Sequence, residues 1–163
     1  SPPTPFDRIL ALLDTHAARY RVVEHLPEGR TAIISQMRGN TLGQAVNSIV
    51  VMVKIGKKER RYYLANLPGD CRVNLEAVKA LCQGTYATLA SLDKVAELTG
   101  SQAGAVPPFS FHPNLQLIAD PLLRQNDEIV FNAGRLDRSI FMKLEDYDRI
   151  VQPLWVSIAD RPE

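Results

Sequence analysis

The apolar positions change their spacing several times along the chain, and each change predicts a different element. Phe6, Ile9, Leu10, Leu12 and Leu13 follow helical spacing behind Thr4, a suitable N-cap, and Pro5, which fits the first helical position. This predicts a helix ending near Ala18. Tyr20–His25 reads as a short strand and Pro27-Glu28-Gly29 as a turn, with short helices over Ile33–Met37 and Leu42–Val46. The run Ser48–Ile55 is almost continuously β-branched, which predicts a strand buried on both faces at the centre of a sheet. Gly56–Arg61 reads as a charged turn into a second strand, Tyr62–Leu67. The two strands then form an antiparallel hairpin closed by Pro68-Gly69-Asp70.

Asn74 is suited to cap a helix that carries Leu75, Val78, Lys79, Leu81 and Cys82, and Ser91–Leu98 predicts another that Gly100 terminates. Three short strands follow at Leu115–Ala119, Glu128–Phe131 and Ser139–Leu144, then a helix over Asp146–Val151. Helices and strands alternate without the regular β-α-β repeat of a doubly wound sheet. The pattern therefore predicts a mixed α/β (α+β) fold, a largely antiparallel sheet or partial barrel flanked by helices. No repeat or linker interrupts it, so residues 1–163 are read as one domain.

Composition mainly removes function classes. The 163 residues are 45% hydrophobic, enough for one core. Nineteen Lys and Arg against eighteen Asp and Glu give no global field that would draw the protein onto nucleic acid or anionic membrane, so any such contact must be local. Cys71 and Cys82 have no metal-ligand spacing and read as reduced thiols of a cytosolic protein. No apolar run approaches the roughly 18–20 residues of a membrane span, and Ser1-Pro2-Pro3-Thr4-Pro5 lacks the pattern of a signal peptide. A cytoplasmic location without a membrane partner is expected.

Known catalytic signatures are missing as well. The chain has no Gly-x-Ser-x-Gly elbow, P-loop or His-Glu-x-x-His helix. His16, His25 and His112 are scattered, and Asp127/Glu128 and Glu145/Asp146 are sequence neighbours that point to different faces or act as caps. Neither a metal nor a cofactor is implied. What stands out is Gly100-Ser101-Gln102-Ala103-Gly104-Ala105-Val106-Pro107-Pro108-Phe109, a small-residue loop stiffened by two prolines. It is followed by Phe131-Asn132-Ala133-Gly134 and Ser139. As structural residues, Gly104 serves a turn and Asn132 and Gly134 join two strands; as functional ones, they bring backbone and small polar groups to a ligand.

The order of these residues resembles the YbaK and prolyl-tRNA-synthetase-associated editing-domain family from Phe6 to Ile158. The resemblance is carried by Val22-Val23-Glu24-His25, Arg38-Gly39 through Leu42-Gly43, the strand Ile49–Ile55, Thr99-Gly100 through Gly104-Ala105-Val106-Pro107-Pro108, and Phe131-Asn132-Ala133-Gly134 with Ser139. Pro107–Pro113 and Ala119–Leu123 look most similar to the free-standing YeaK-like branch.

The resemblance implies a trans-acting hydrolase of tRNA mischarged with a small amino acid such as alanine, serine, threonine or cysteine. An aminoacyl-tRNA synthetase is implied as a further partner. In such a mechanism water attacks the ester with help from the terminal ribose, and catalysis comes from positioning and preorganised electrostatics. A catalytically weak member that binds aminoacyl-adenosine, tRNA or a nucleotide-like ligand is the alternative, and an interaction domain using Phe109–Phe111 is a third.

By the same resemblance Gly104, Ala105 and Asn132 belong to the reacting centre. Val23, His25, Asn47, Pro107, His112, Ala133, Gly134 and Ser139 belong to substrate binding, with Ala133 and Gly134 keeping the pocket roomy and His112, beside Pro113, read slightly in favour of the surface. Gly104→Ala is then expected to set a methyl group against the substrate with little effect on stability. Asn47 stands where relatives commonly carry a phosphate-binding lysine, and strand alternation sends Lys54 to the opposite face. Lys57, Lys58, Arg60 and Arg61 are candidates for more distant tRNA backbone.

Overall fold

The computed structural model describes residues 2–161. The first helix, α1 (Pro5–Thr15), opens with a capping box in which the Thr4 hydroxyl accepts from the Asp7 N–H at 3.2 Å and Asp7 accepts from the Thr4 N–H at 3.1 Å. It buries Ile9 and Leu13. The helix ends three residues before the expected Ala18, because Ala17 turns left-handed (φ 52°) and the Ala18 N–H reaches back to the Leu13 carbonyl at 2.9 Å. An alanine closes a turn usually marked by glycine, so the end carries no sequence signal.

A three-stranded antiparallel sheet follows the order β1-β8-β7, with β1 (Tyr20–Glu24), β7 (Glu128–Arg135) and β8 (Arg138–Lys143). A five-stranded sheet has the order β5-β2-β3-β6-β9. Its strands are β2 (Val46–Ile55), β3 (Glu59–Pro68), β5 (Tyr86–Leu89), β6 (Leu115–Ala119) and β9 (Leu154–Trp155). Two short strands, β4 (Arg72–Val73) and β10 (Ala159–Asp160), pair separately. Pairing is antiparallel except for β3–β6 and β6–β9. A single parallel bridge, Ala45 to Val130, links the start of β2 to β7, and the sheets stay open among the described residues. The remaining helices are α2 (Thr31–Arg38), α3 (Leu75–Ala80), α4 (Leu92–Thr99) and α5 (Leu144–Val151). Among the described residues no helix is long and apolar enough to cross a membrane.

The expected hairpin forms, with Val50 opposite Leu64 and Lys54 opposite Arg60. Three details differ. β3, not β2, is the middle strand, and it is buried from Tyr63 to Pro68 because β2 and β6 cover both of its edges. β5 pairs only with Val51–Lys54, which leaves the first half of β2 open on one side. The segment expected as a helix over Leu42–Val46 is a single 3-10 turn, Leu42–Gln44, before Val46 enters β2.

The core around α1, β7 and β8 fixes the loop that follows α4. Phe109 packs edge-on against Phe131 (5.5 Å) and Tyr147 (5.6 Å), and the Tyr147 hydroxyl donates to the Pro108 carbonyl at 2.8 Å. Burial drives the Tyr147 phenol upward, so it remains a donor. Phe109 is therefore core and unavailable as a contact surface; only Phe111 of that pair is exposed.

Candidate active site

Gly100 ends α4 in the left-handed conformation, and the chain then runs through Gly104 into the buried segment Ala105–Phe109. Gly104 has φ +87°, and a Cβ there would lie 2.9 Å from Gly29 Cα and 3.2 Å from the Gly29 carbonyl oxygen. Two glycines thus meet backbone to backbone. The expectation for Gly104→Ala is corrected: the methyl group would strike the Gly29 backbone rather than a ligand, and the backbone angle is unfavourable for any other residue.

Asn132 locks this junction. Its Nδ2 donates to the Gly104 carbonyl at 2.7 Å and to the Glu28 carbonyl at 3.2 Å. Its Oδ1 accepts from the Ser139 hydroxyl at 3.1 Å, with Arg38 Nη1 at 3.4 Å. Ser139, which faces Asn132 across β7 and β8, also accepts from Arg38 Nη1 at 3.0 Å and lies 2.7 Å from His25 Nε2. His25 Nδ1 meets the Leu26 carbonyl at 2.9 Å, so that nitrogen carries the proton. The same loop is braced by Glu28, whose carboxylate accepts three bonds from Arg30 and is held down at about 2.

In front of this network lies a cavity of about 180 Å³. Thr31, Ile34 and Arg38 project into it from one face of α2, at helical offsets of three and four. Asn47 and Ser48 enter from the open half of β2, and Gly29, Gly104, Val106 and Asn132 complete the polar and loop side. The Thr31 hydroxyl donates to Asn47 Oδ1 at 2.6 Å and the Ser48 hydroxyl to Asn66 Oδ1 at 2.6 Å. Burial lowers the Arg38 guanidinium to about 10, which leaves it cationic at neutral pH.

Of the residues expected in the site, Gly104, Asn132 and Asn47 line this one cavity. His25 and Ser139 stand behind it, Ser139 fully buried, and act on the cavity through Asn132 and Arg38. The others lie elsewhere. Ala105 is fully buried and its N–H is spent on the Gln102 carbonyl at 3.0 Å, so it has no donor left for a substrate. Pro107 is buried, and Val106 takes the place in the wall. Ala133 belongs to the core with Ile9 and Phe131. Gly134 donates its N–H to the Ala105 carbonyl at 2.9 Å and backs onto Pro5, so neither residue widens the cavity. Both Asn132 and Gly134 lie within β7 rather than in a turn. Val23 packs with Ala45, Val130 and Phe141. His112 borders a different groove, with Arg60, Arg61 and Lys94.

Arg38, Thr31, Ser48 and Gly29 were missed as site residues. The available signals were the 31–34–38 spacing on a short helix whose first and last residues are polar, and the place of Arg38-Gly39 among the segments that carry the resemblance. Neither cysteine enters the cavity, and burial pushes the Cys71 thiol up to about 11, far from a reactive thiolate. Among the described residues no group of three His, Cys, Asp or Glu side chains could hold a metal ion.

The fold and site define a class: a small open α/β domain whose cavity is walled by a glycine loop, asparagines and one arginine. A profile of the aminoacyl-tRNA editing domain matches residues 30–150, and the chain belongs to that family. It is 46% identical over 147 residues to the multifunctional Ser/Thr-tRNA deacylase ProXp-y of Escherichia coli (strain K12), spanning 90% of this chain and 87% of that one. Among solved structures it superposes on the hypothetical protein APE2540 with TM-score 0.84 and 21% identity, covering 94% of this chain and 99% of that chain. A protein proposed as a trans-editing enzyme for prolyl tRNA synthetase gives TM-score 0.78 and 23% identity, covering 98% and 99%. These two likenesses establish the fold.

Proposed function

We propose that this chain is a trans-acting aminoacyl-tRNA deacylase that removes serine and threonine from mischarged tRNA. The observation that carries the reading is the cavity: Gly104, its carbonyl clamped by Asn132 and its N–H unspent among the described residues, faces small polar side chains. At about 180 Å³ the space is smaller than the roughly 300–1,000 Å³ of pockets for drug-sized ligands, which suits an aminoacyl group with the tRNA body outside. Thr31 and Ser48 each donate their proton to an asparagine, which leaves hydroxyl oxygens free to accept from a serine or threonine side chain.

In this reading the ester carbonyl sits against the Gly104 N–H. Water adds to that carbonyl, the ribose oxygen leaves with a proton, and free amino acid and tRNA result. The protein supplies a fixed donor and a fixed geometry, both settled before the reaction begins. Lys57, Lys58, Arg60 and Arg61 at the far end of the β2–β3 hairpin offer cations for tRNA backbone. The activity belongs to the cytoplasm, where charged tRNA is used, and a synthetase that mischarges tRNA is the natural partner.

The test is ester loss from a panel of tRNAs charged with serine, threonine, alanine, cysteine and proline, with and without chelator. Seryl- and threonyl-tRNA should be cleared fastest, free amino acid esters should be nearly untouched, and EDTA should make no difference. A panel with no acceleration would leave the binding-only alternative.

A further inference from the structure

Ser139 Oγ is the crossing point of the polar relay behind the cavity, and its neighbours ask more of it than one neutral hydroxyl supplies. A serine oxygen has one proton to give and two lone pairs to offer. Arg38 Nη1, at 3.0 Å, can only donate and takes one lone pair. Asn132 Oδ1, at 3.1 Å, can only accept, and its orientation is fixed because Nδ2 of the same amide donates to the Gly104 and Glu28 carbonyls. That leaves His25 Nε2, at 2.7 Å. His25 Nδ1 carries a proton for the Leu26 carbonyl, so a neutral ring presents Nε2 as a bare acceptor. Two acceptors then compete for the single Ser139 proton. A ring protonated on both nitrogens donates into the second lone pair instead, and the Ser139 proton goes to Asn132. Only in that second state are all three neighbours of Ser139 Oγ satisfied.

We infer that His25 is a positioning residue that acts as the imidazolium, turning the Ser139 hydroxyl onto Asn132 and so fixing the amide that clamps the Gly104 carbonyl. The inference rests on the deacylase reading. Loss of the Nε2 proton draws the Ser139 hydroxyl toward the ring. Asn132 Oδ1 then keeps only Arg38 Nη1, at 3.4 Å, and the amide is held firmly at its Nδ2 end alone. His25 stands behind the cavity and makes or breaks no bond of the substrate. The charged residues on the segments around the ring are Glu24 of β1, Glu28 and Arg30 of the following loop, Asp137 and Arg138 at the β7–β8 turn, and Arg38 of α2. Glu24 pairs with Arg138 at 3.5 Å, Glu28 with Arg30 at 2.9 Å, and Asp137 with Arg135 and Arg138 at 2.8 and 3.1 Å. Arg38 faces the ring across Ser139. None of these carboxylates forms an ion pair with His25, so the proton on Nε2 answers to Ser139 and to pH, and histidine is the side chain that changes charge near neutrality.

The experiment joins two pH series over about pH 5–8, the range in which histidine changes charge. One is NMR of the wild type, following the His25 ring C–H and the Asn132 side-chain NH2 resonances. The other is single-turnover decay of seryl-tRNA by wild type, His25→Gln and His25→Ala, each rate divided by the uncatalysed rate at the same pH. Thermal melts establish that each protein is folded. The wild-type ratio should fall several-fold as His25 loses its proton, and the Asn132 amide should shift at the same pH. His25→Gln places an amide N–H where Nε2–H stood and does not titrate, so it should hold the low-pH ratio across the series. His25→Ala should stay at the lower ratio throughout. A ratio that rises as His25 deprotonates, or an Asn132 amide blind to that titration, would overturn the inference; neither requires a variant. So would a ring that is neutral at every pH, or a fall that survives in His25→Gln. A ring protonated at every pH would support it if His25→Ala lowers the ratio and overturn it otherwise. Seryl-tRNA decay with no response of Asn132 to His25 sinks the positioning role and leaves the deacylase reading. An Asn132 amide that follows His25 without decay of any charged tRNA sinks that reading and leaves the relay.

Discussion

One wall of the cavity is backbone, where Gly29 and Gly104 meet with no side chain between them, and the other is a relay of side chains, His25, Ser139, Asn132 and Arg38, drawn from four parts of the chain. The backbone wall has no slack. A single added carbon falls inside 3.0 Å of its neighbour at Gly104. The side-chain wall works by redundancy, since Asn132 and Ser139 each hold several partners. Position is thus enforced sterically on one side and by polar bonding on the other, and the two sides should fail differently.

Gly104→Ala should give the largest effect, because it combines a positive-φ penalty with the Gly29 clash. A stability loss of roughly 1–3 kcal/mol is expected in urea titration, with turnover of seryl-tRNA down more than tenfold even where the protein is folded. Full stability in this variant would mean that the two loops can part freely. Gly29→Ala is the milder control, since its Cβ would meet Leu136 Cδ2 at 3.2 Å and Gly104 Cα at 3.3 Å.

Ser139→Ala attacks the other wall. It removes a fully buried hydroxyl and leaves Arg38 Nη1 and His25 Nε2 without their shared partner, a cost on the order of 1–3 kcal/mol. Turnover should fall about tenfold with KM less affected, because Asn132 and Arg38 lose orientation rather than contact. Unchanged kcat in a folded Ser139→Ala would show that Asn132 needs no support from behind.

How much of this was readable follows the same division. Gly104 and Asn132 stand out in sequence because residue type alone restricts what they can do, and the strand hairpin and capped helices follow from periodicity and caps such as Thr4, Asn74 and Ser91. The relay is invisible to such patterns. His25 and Ser139 are 114 positions apart and meet, with Asn132, through the pairing of β1 with β8 and β8 with β7, whereas Arg38, 94 positions from Asn132, reaches them from the end of α2. Ala133 lies in the core rather than the pocket because small size serves a dense core as well as an open one, and Ala105 offers no donor because its N–H is spent on the Gln102 carbonyl, a bond no residue type signals. The two-residue strands β4, β9 and β10 are too short to show alternation.

A polar cluster away from the cavity separates stability from activity. Asp146 is buried and accepts from the Arg19 N–H at 2.8 Å and Arg19 Nε at 3.0 Å, bonds that hold its carboxyl at about 2. Its folded pKa lies below the ordinary carboxylate value, so its stabilisation is full above about pH 4 and is lost as pH falls through about 2. The wild type should lose melting temperature across that window. Asp146→Asn should start lower at neutral pH and change less below pH 4, with turnover per folded molecule unchanged.

Asn47→Lys should have the smallest effect. It breaks the Thr31 bond and places a second cation in the cavity with Arg38. A few-fold tighter tRNA binding is expected, with a salt dependence steeper by about one phosphate contact. Because that contact forms in ground and transition states alike, turnover should gain less. An unchanged salt slope would mean that no phosphate passes Asn47.

The central claim is that this cavity hydrolyses the ester of a mischarged tRNA, and single-turnover decay of seryl-tRNA tests it most directly. With enzyme in excess and EDTA present, ester loss should be at least tenfold faster than the uncatalysed reaction for the wild type and should fall back toward that background for Asn132→Ala. Decay at the background rate with folded wild type, or equal rates for wild type and Asn132→Ala, would contradict it.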